Sequence, residues 1–191
     1  MKIGLFFGSF NPIHVGHLAI GNYIAQFTDI QQVWFVVSPQ NPLKEKKTLL
    51  ADYHRLELAY RAIGESSLFK VSNIEFNMPK PSYTIDTLSY LVDKYPQHKF
   101  SVIIGSDSLE SFYKWKNFET ILNLYRIYVY PRRGNETHEL MHNINVKIVN
   151  APIIEISSSF IRQAIKDGKD MQYFVTNEVW KYICEMHFYE K

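Results

Sequence analysis

The stretch "KIGLFFGSFNPIHVGHLAIGNYIAQF", Lys2 to Phe27, decides the fold. "IGLFF" is a continuous apolar run of strand length, which suits a strand buried on both faces and hence a parallel sheet. Ile20, Tyr23, Ile24 and Phe27 then recur at helical spacing, so the chain passes from strand to helix through a turn broken by Gly8 and Pro12. Such a turn aims the start of the helix at whatever lies beyond the carboxyl end of the strand. Gly8 and Ser9 let the backbone approach a ligand, and Pro12 stiffens the turn. The first helical N–H groups and the positive end of the helix dipole make an anion site. His14 and His17, three residues apart, can face one anion as hydrogen-bond donors, and phosphate is the guest this chemistry suits. A histidine pair also suits a metal, but zinc needs further ligands and the neighbouring sequence supplies no obvious one.

Working outward, apolar runs of the same kind recur at 33–37, 100–104 and 127–130, with weaker ones at 69–72 and 146–149. Helical patterns fall between them. Asp52 can cap a segment that runs through Ala62 and stops at Gly64, and further helices are expected at 84–94, 110–124, 158–166 and 177–186. The alternation of strand and helix predicts an α/β fold over a single domain, 1–191. It should be a doubly wound, mostly parallel, Rossmann-like sheet with helices on both faces and ligands outside the carboxyl ends of the strands. No internal repeat is present, and the linker-like stretches are "SPQNPLKEKKT" and "PRRGNETHE".

Composition excludes several classes of function. Among 191 residues, 46% hydrophobic, 21 basic and 19 acidic side chains are interspersed for a net charge of +2, so no basic stripe points to nucleic acid. Cys184 is the only cysteine; with no intrachain partner it fits a reducing cytoplasm. No apolar run approaches the roughly 20 residues of a membrane span, and the N-terminal run is too short for a signal peptide. A soluble, cytoplasmic protein is expected. The sequence does not fix oligomeric state, and a homo-oligomer is compatible with it.

Near the other end, "EISSSFIRQAIKDG" places three serines before an apolar-periodic helix. Capping needs one of them. The extra hydroxyls, the helix start and Arg162 one turn inside can form a second anion site able to hold a polyphosphate.

"GSFNPIHVGH" together with "ISSSFIR" resembles the paired H-x-G-H and I-S-S-T-x-x-R signatures of the nucleotidyltransferase superfamily, and the segments "SPQNPLK", "PSYTIDTL", "GSDSL" followed by Trp115, and "YPRRG" are similar to those of bacterial nicotinate-nucleotide adenylyltransferases. The resemblance runs from Gly4 to Arg162. Many members have Asp where this chain has Asn11 and Thr where it has Ser159, substitutions that keep the histidines and a phosphate-binding hydroxyl. It implies attack of the 5′-phosphate of nicotinate mononucleotide on the α-phosphorus of ATP, with magnesium bridging ATP oxygens largely through water and no protein metal site. In that scheme His14, His17, Lys44 and Arg162 are catalytic. ATP is held by Gly8, Ser9, Phe10, His14, His17, Gly105, Asp107, Ser157, Ser158 and Arg162. Asp107, after a strand end, can accept from ribose hydroxyls; its other reading is a helix cap.

The nicotinate nucleotide is expected at Tyr83, Thr84, Trp115, Arg132 and Arg133. The helix start near Tyr83 and Thr84 offers N–H donors to the carboxylate, and Trp115 offers a face to the cationic pyridinium ring. The sequence does not separate Arg132 from Arg133. The rival readings are a phosphopantetheine adenylyltransferase, a cytidylyltransferase, and a sensor that binds adenine nucleotide without turnover. His138 and His142, at helical spacing, read as a surface segment.

Overall fold

The computed structural model describes residues 1–39, 49–134 and 138–190. Six strands, β1 (Lys2–Gly8), β2 (Gln32–Val37), β3 (Phe69–Ser72), β4 (Lys99–Gly105), β5 (Arg126–Tyr130) and β6 (Val146–Ile148), form one sheet in the order β3-β2-β1-β4-β5-β6. All of its pairings are parallel. β1 lies centrally, with Leu5 opposite Trp34 and Val102, and Phe6 opposite Phe35 and Ile103.

Among the described residues, seven α-helices cover the sheet: α1 (Val15–Phe27), α2 (Asp52–Ile63), α3 (Thr84–Lys94), α4 (Ser106–Glu110), α5 (Phe118–Leu124), α6 (Ser158–Lys166) and α7 (Asn177–Glu185). Successive strand residues point to opposite faces, and here both faces are apolar. Phe6, Phe35 and Ile103 pack with Ile24 of α1, Leu58 of α2, Ile161 of α6 and Val179 of α7. Leu5, Trp34 and Val102 pack on the other face with Leu88 and Leu91 of α3 and Ile121 of α5. Each such fully buried side chain contributes about 1.5–3 kcal/mol relative to exposure, so the two layers fix which helix lies on which side. The chain winds from β1 to β3 one way and from β4 to β6 the other, leaving a crevice between the carboxyl ends of β1 and β4.

The helix expected at 110–124 is broken. α4 stops at Glu110, a 3₁₀ turn spans Phe112–Lys114, and α5 starts only at Phe118. Trp115 is extended (ψ 138°) and Asn117 adopts the left-handed conformation (φ 51°, ψ 43°), which asparagine tolerates better than most residues. Phe112 and Ile121 still reach the same core, so the apolar periodicity survives the break. Asp52 does not cap α2: Ala51 stands at the cap position, and the Asp52 carboxylate binds Arg55 at 2.7 Å and Lys80 at 3.2 Å. Charge-assisted bonds to a guanidinium outweigh a cap. His138 accepts from the Leu140 N–H and caps a 3₁₀ turn, Glu139–His142. Cys184 is exposed on α7. Among the described residues no helix is long and apolar enough to cross a membrane.

Candidate active site

A cavity of about 640 Å³ occupies the crevice at the carboxyl ends of β1 and β4. One wall is the turn that follows β1. Phe10 has φ 45° and folds its ring back over Gly8, where an added Cβ would come within 2.8 Å of it. Any larger residue at position 8 would force the Phe10 ring to shift, a more local reason for glycine than ligand approach. The Phe10 ring also meets His17 edge-on at 5.1 Å, and Phe6 does so at 5.9 Å. His17 Nδ1 accepts from the His14 N–H at 3.2 Å, so in the neutral ring the proton sits on Nε2.

The two histidines do not both face the cavity. Their rings stack at 3.7 Å, and His17 forms part of the cavity wall while His14 is 3% exposed and does not. Burial, reinforced by the Arg132 charge, pushes the His14 pKa from the usual 6.5 down to about 3, so the ring is neutral at physiological pH. Its Nδ1 is buried without a hydrogen-bond partner among the described residues. A Cβ at Gly16 would lie 3.0 Å from that atom, so glycine there makes room for the ring.

Arg55 holds this wall from beneath, and sequence reasoning missed it. Its side chain is fully buried. It donates to the carbonyls of Ser9 (2.6 Å), Ser38 (2.8 Å), Pro39 (3.3 Å) and Leu50 (3.0 Å) as well as to Asp52. One guanidinium therefore joins the turn after β1, the end of β2 and the start of α2. A signal was present: Arg55 stands at helical spacing with Leu58 and Ala59, on the apolar face.

α6 docks on the same turn. Ser157 caps it, accepting from the Phe160 N–H at 3.2 Å. Ser158 donates to the Pro12 carbonyl at 2.9 Å and lines the cavity. Arg162 donates to the Asn11 carbonyl at 2.8 Å and to Ser159 at 3.2 Å. Two motifs from opposite ends of the sequence thus meet, although Ser157 and Arg162 stand behind Ser158 and not in the wall itself.

The opposite wall starts at α3. Tyr83 is its cap residue and Thr84 its first residue, with no side-chain cap, and both line the cavity. Glu75, buried and also in the wall, accepts from Ser82 and Thr87 hydroxyls at 2.8 Å each, a junction with no signature in the residue pattern. Trp115 is half-buried, 5.1 Å from Phe112, and Lys116 joins it to α3 through Asp86 (2.9 Å) and the Tyr83 ring (5.0 Å). At the floor, a Cβ on Gly105 would meet the Asp107 carboxylate at 2.3 Å and the Tyr130 ring at 3.2 Å.

Arg132 and Arg133 separate in the structure. Arg132 lines the cavity, donating to the Ile154 carbonyl and the Tyr130 hydroxyl, while its buried Nε has no partner among the described residues. Arg133 is exposed, pairs with Glu155 at 3.7 Å and is not brought to the cavity. Lys44 lies outside the described residues. Among the described residues no three His, Cys, Asp or Glu side chains converge as a metal cluster would require.

The cytidylyltransferase-like family model matches residues 5–164. The chain is 51% identical to the Flavobacterium johnsoniae protein named "probable nicotinate-nucleotide adenylyltransferase", with 100% of both chains covered. It is 52% identical to a Cytophaga hutchinsonii protein of the same name, over 99% of this chain and 98% of that one. Its fold matches the Plasmodium falciparum nicotinic acid mononucleotide adenylyltransferase complexed with NaAD with a TM-score of 0.84, at 21% identity over 98% of this chain and 97% of that one. At such identity along its whole length to the bacterial proteins, the chain belongs to the nicotinate-nucleotide adenylyltransferase family of cytidylyltransferase-like proteins.

Proposed function

We propose that this protein transfers the adenylyl group of ATP to nicotinate mononucleotide in the cytoplasm, giving nicotinate adenine dinucleotide and pyrophosphate. The observation that carries the reading is that a phosphate-type wall (Ser9, His17, Ser158) and a second wall made of a helix start and a tryptophan face each other across one cavity. A 5′-phosphate oxygen of the mononucleotide attacks the α-phosphorus; that P–O bond forms as the bond to the β-phosphate bridging oxygen breaks, and pyrophosphate leaves. No group on the protein becomes covalently attached. The protein's part is to align the in-line oxygens and to stabilise the charge that spreads over the α-phosphoryl oxygens.

His17, with its proton on Nε2, is the donor for that charge. Ser158 and the start of α6 take the leaving pyrophosphate, helped by Arg162 and, on the resemblance, Lys44. Asp107 accepts from a ribose hydroxyl. Magnesium comes as part of the MgATP substrate, where it would neutralise phosphate charge.

The backbone N–H groups at Tyr83 and Thr84 receive the nicotinate carboxylate. Ser82 and Thr87 already donate their hydroxyls to Glu75, so the donors proposed to face the ligand at this helix start are the backbone N–H groups and the Thr84 hydroxyl. An amide in place of the carboxylate would turn an NH₂ toward donors, a mismatch that costs up to ~10⁴ in kcat/KM. Steady pyrophosphate release with nicotinate mononucleotide, nicotinamide mononucleotide and phosphopantetheine as acceptors tests the reading. Turnover is expected with the first and strongly disfavoured with the others. Tight ATP binding without turnover would make the protein a sensor, and a preference for phosphopantetheine would move it to the sister activity.

A further inference from the structure

Beyond α7 the chain turns back on itself through His187 (φ 52°) and Tyr189 (φ 67°), left-handed conformations that are disfavoured for residues with a Cβ. What the turn achieves is visible at its end. Phe188 is buried against His54 (4.6 Å) and Tyr182 (5.5 Å), and the Tyr189 hydroxyl donates to Asn11 Oδ1 at 2.9 Å. The same Oδ1 accepts from the Leu50 N–H at 3.3 Å, while the Asn11 backbone carbonyl accepts from Arg162 at 2.8 Å. Asn11 is 3% exposed. One buried residue of the phosphate-side turn therefore ties together the segment before α2, α6 and the chain that follows α7.

We propose that Tyr189 is a positioning residue for the triphosphate of ATP: its hydroxyl fixes Asn11, and Asn11 fixes both the turn at Ser9–Phe10 and the Arg162 guanidinium. The inference rests on the reading above of the turn and α6 as the phosphate side. Tyr189 touches no reacting atom. Its burial raises the phenol pKa well above the usual 10, so the hydroxyl remains a donor throughout the working range. The acceptor side is equally constrained, because a carbonyl oxygen shared by two donors in a buried turn has little freedom to rotate away.

The test uses the full chain. Tyr189→Phe keeps the ring against Phe188 and removes only the donor. Loss of one buried hydrogen bond that aligns the phosphate side should raise the KM for ATP by about fivefold. The KM for nicotinate mononucleotide should be unchanged, and in calorimetry the Kd for ATP should rise while that for AMP, which lacks the β- and γ-phosphates, stays within about 1.5-fold. Asn11→Ala removes the acceptor instead, keeps the test open should Tyr189→Phe fail to fold, and should show the same ATP-selective loss. In the Asn11→Ala background, adding Tyr189→Phe should cost nothing further, since the bond is already gone. A lower melting temperature with equal ATP and AMP affinities, or additive losses in the double variant, would overturn the inference and leave Tyr189 as packing. A wild-type protein that makes no dinucleotide would instead overturn the catalytic reading, and the ATP-over-AMP comparison would still decide the role of Tyr189.

Discussion

The two walls of the cavity are built on different principles. The phosphate side is held by buried groups: a fully buried guanidinium with five acceptors, a stacked and desolvated histidine, and a turn bonded to α6. The opposite side, to which the proposed function assigns the mononucleotide, is held by a half-buried tryptophan and by an exposed lysine that pairs with an exposed carboxylate. Its buried polar junction among the described residues is Glu75 with Ser82 and Thr87. In the proposed reaction charge develops on the first side, and preorganised donors lose their advantage if they must reorient. On the second side the proposed demand is recognition of a ring and a carboxylate, which tolerates looser support.

If that contrast is right, the largest single effect should come from the rigid wall. His17→Ala should lower kcat by a hundredfold or more with little change in ATP affinity, as loss of one preorganised donor does. Steady-state rates and ATP binding measured on the same variant check it; an unchanged kcat would remove His17 from the chemistry. The next effect is on stability. His14 regains its usual pKa of 6.5 when unfolded, against about 3 when folded, so between those values the unfolded chain binds a proton that the folded chain does not. The contribution is complete above pH 6.5 and falls as the pH drops towards 3, by about 2 to 3 kcal/mol between pH 6.5 and 4.5. Urea unfolding at both pH values should show His14→Gln losing less on acidification than the wild type by that amount. Equal losses would mean that His14 is not held neutral by its surroundings.

The same contrast governs what could be read in the sequence. The rigid wall was legible because its strand, turn and helix are contiguous, and because Gly8, Pro12 and the histidines violate the apolar periodicity on either side. The doubly wound sheet followed from apolar runs alternating with helical patterns, since strands buried on both faces leave a local signature. Arg55 was harder: its partners are carbonyls, and a backbone acceptor leaves no trace in residue identity. The stacking of His14 on His17 was invisible for a related reason, since spacing fixes the distance between two rings along the helix and not which of them faces the ligand. On the looser wall the broken helix around Trp115 was missed because its buried residues keep a helical period while Asn117 turns left-handed between them. Arg132 and Arg133 could be told apart only once Glu155 and Ile154, distant in sequence, were in place.

A smaller effect is expected at Trp115. Acid and amide mononucleotides share the cationic ring, so Trp115→Ala should weaken both by about 1 kcal/mol, through loss of the cation–π contact, without altering the ratio of their kcat/KM values. A changed ratio would mean that the indole senses the carboxylate, and the division between ring recognition and carboxylate recognition would fail.

The smallest effect separates a loosely held wall from a rigid one most directly. Lys116 and Asp86 pair at 2.9 Å with each side chain 44% exposed. Exposed pairs of this kind contribute about 0.2–1 kcal/mol and are screened by salt. Lys116→Met keeps a side chain of similar length and removes the charge, and with it both the ion pair and the ammonium over the Tyr83 ring, so the KM for nicotinate mononucleotide should rise only about twofold at low salt. In the wild type, added salt should produce a rise of the same size, which the variant should not show. The KM for ATP should stay where it was, because the bonds from Ser158, Arg162 and Arg55 to the phosphate turn do not involve Lys116 or Asp86. Initial rates at low and high ionic strength for both proteins make the comparison. A loss of tenfold or more, insensitive to salt, would mean that Lys116 contacts the mononucleotide itself and that this wall is as preorganised as the other.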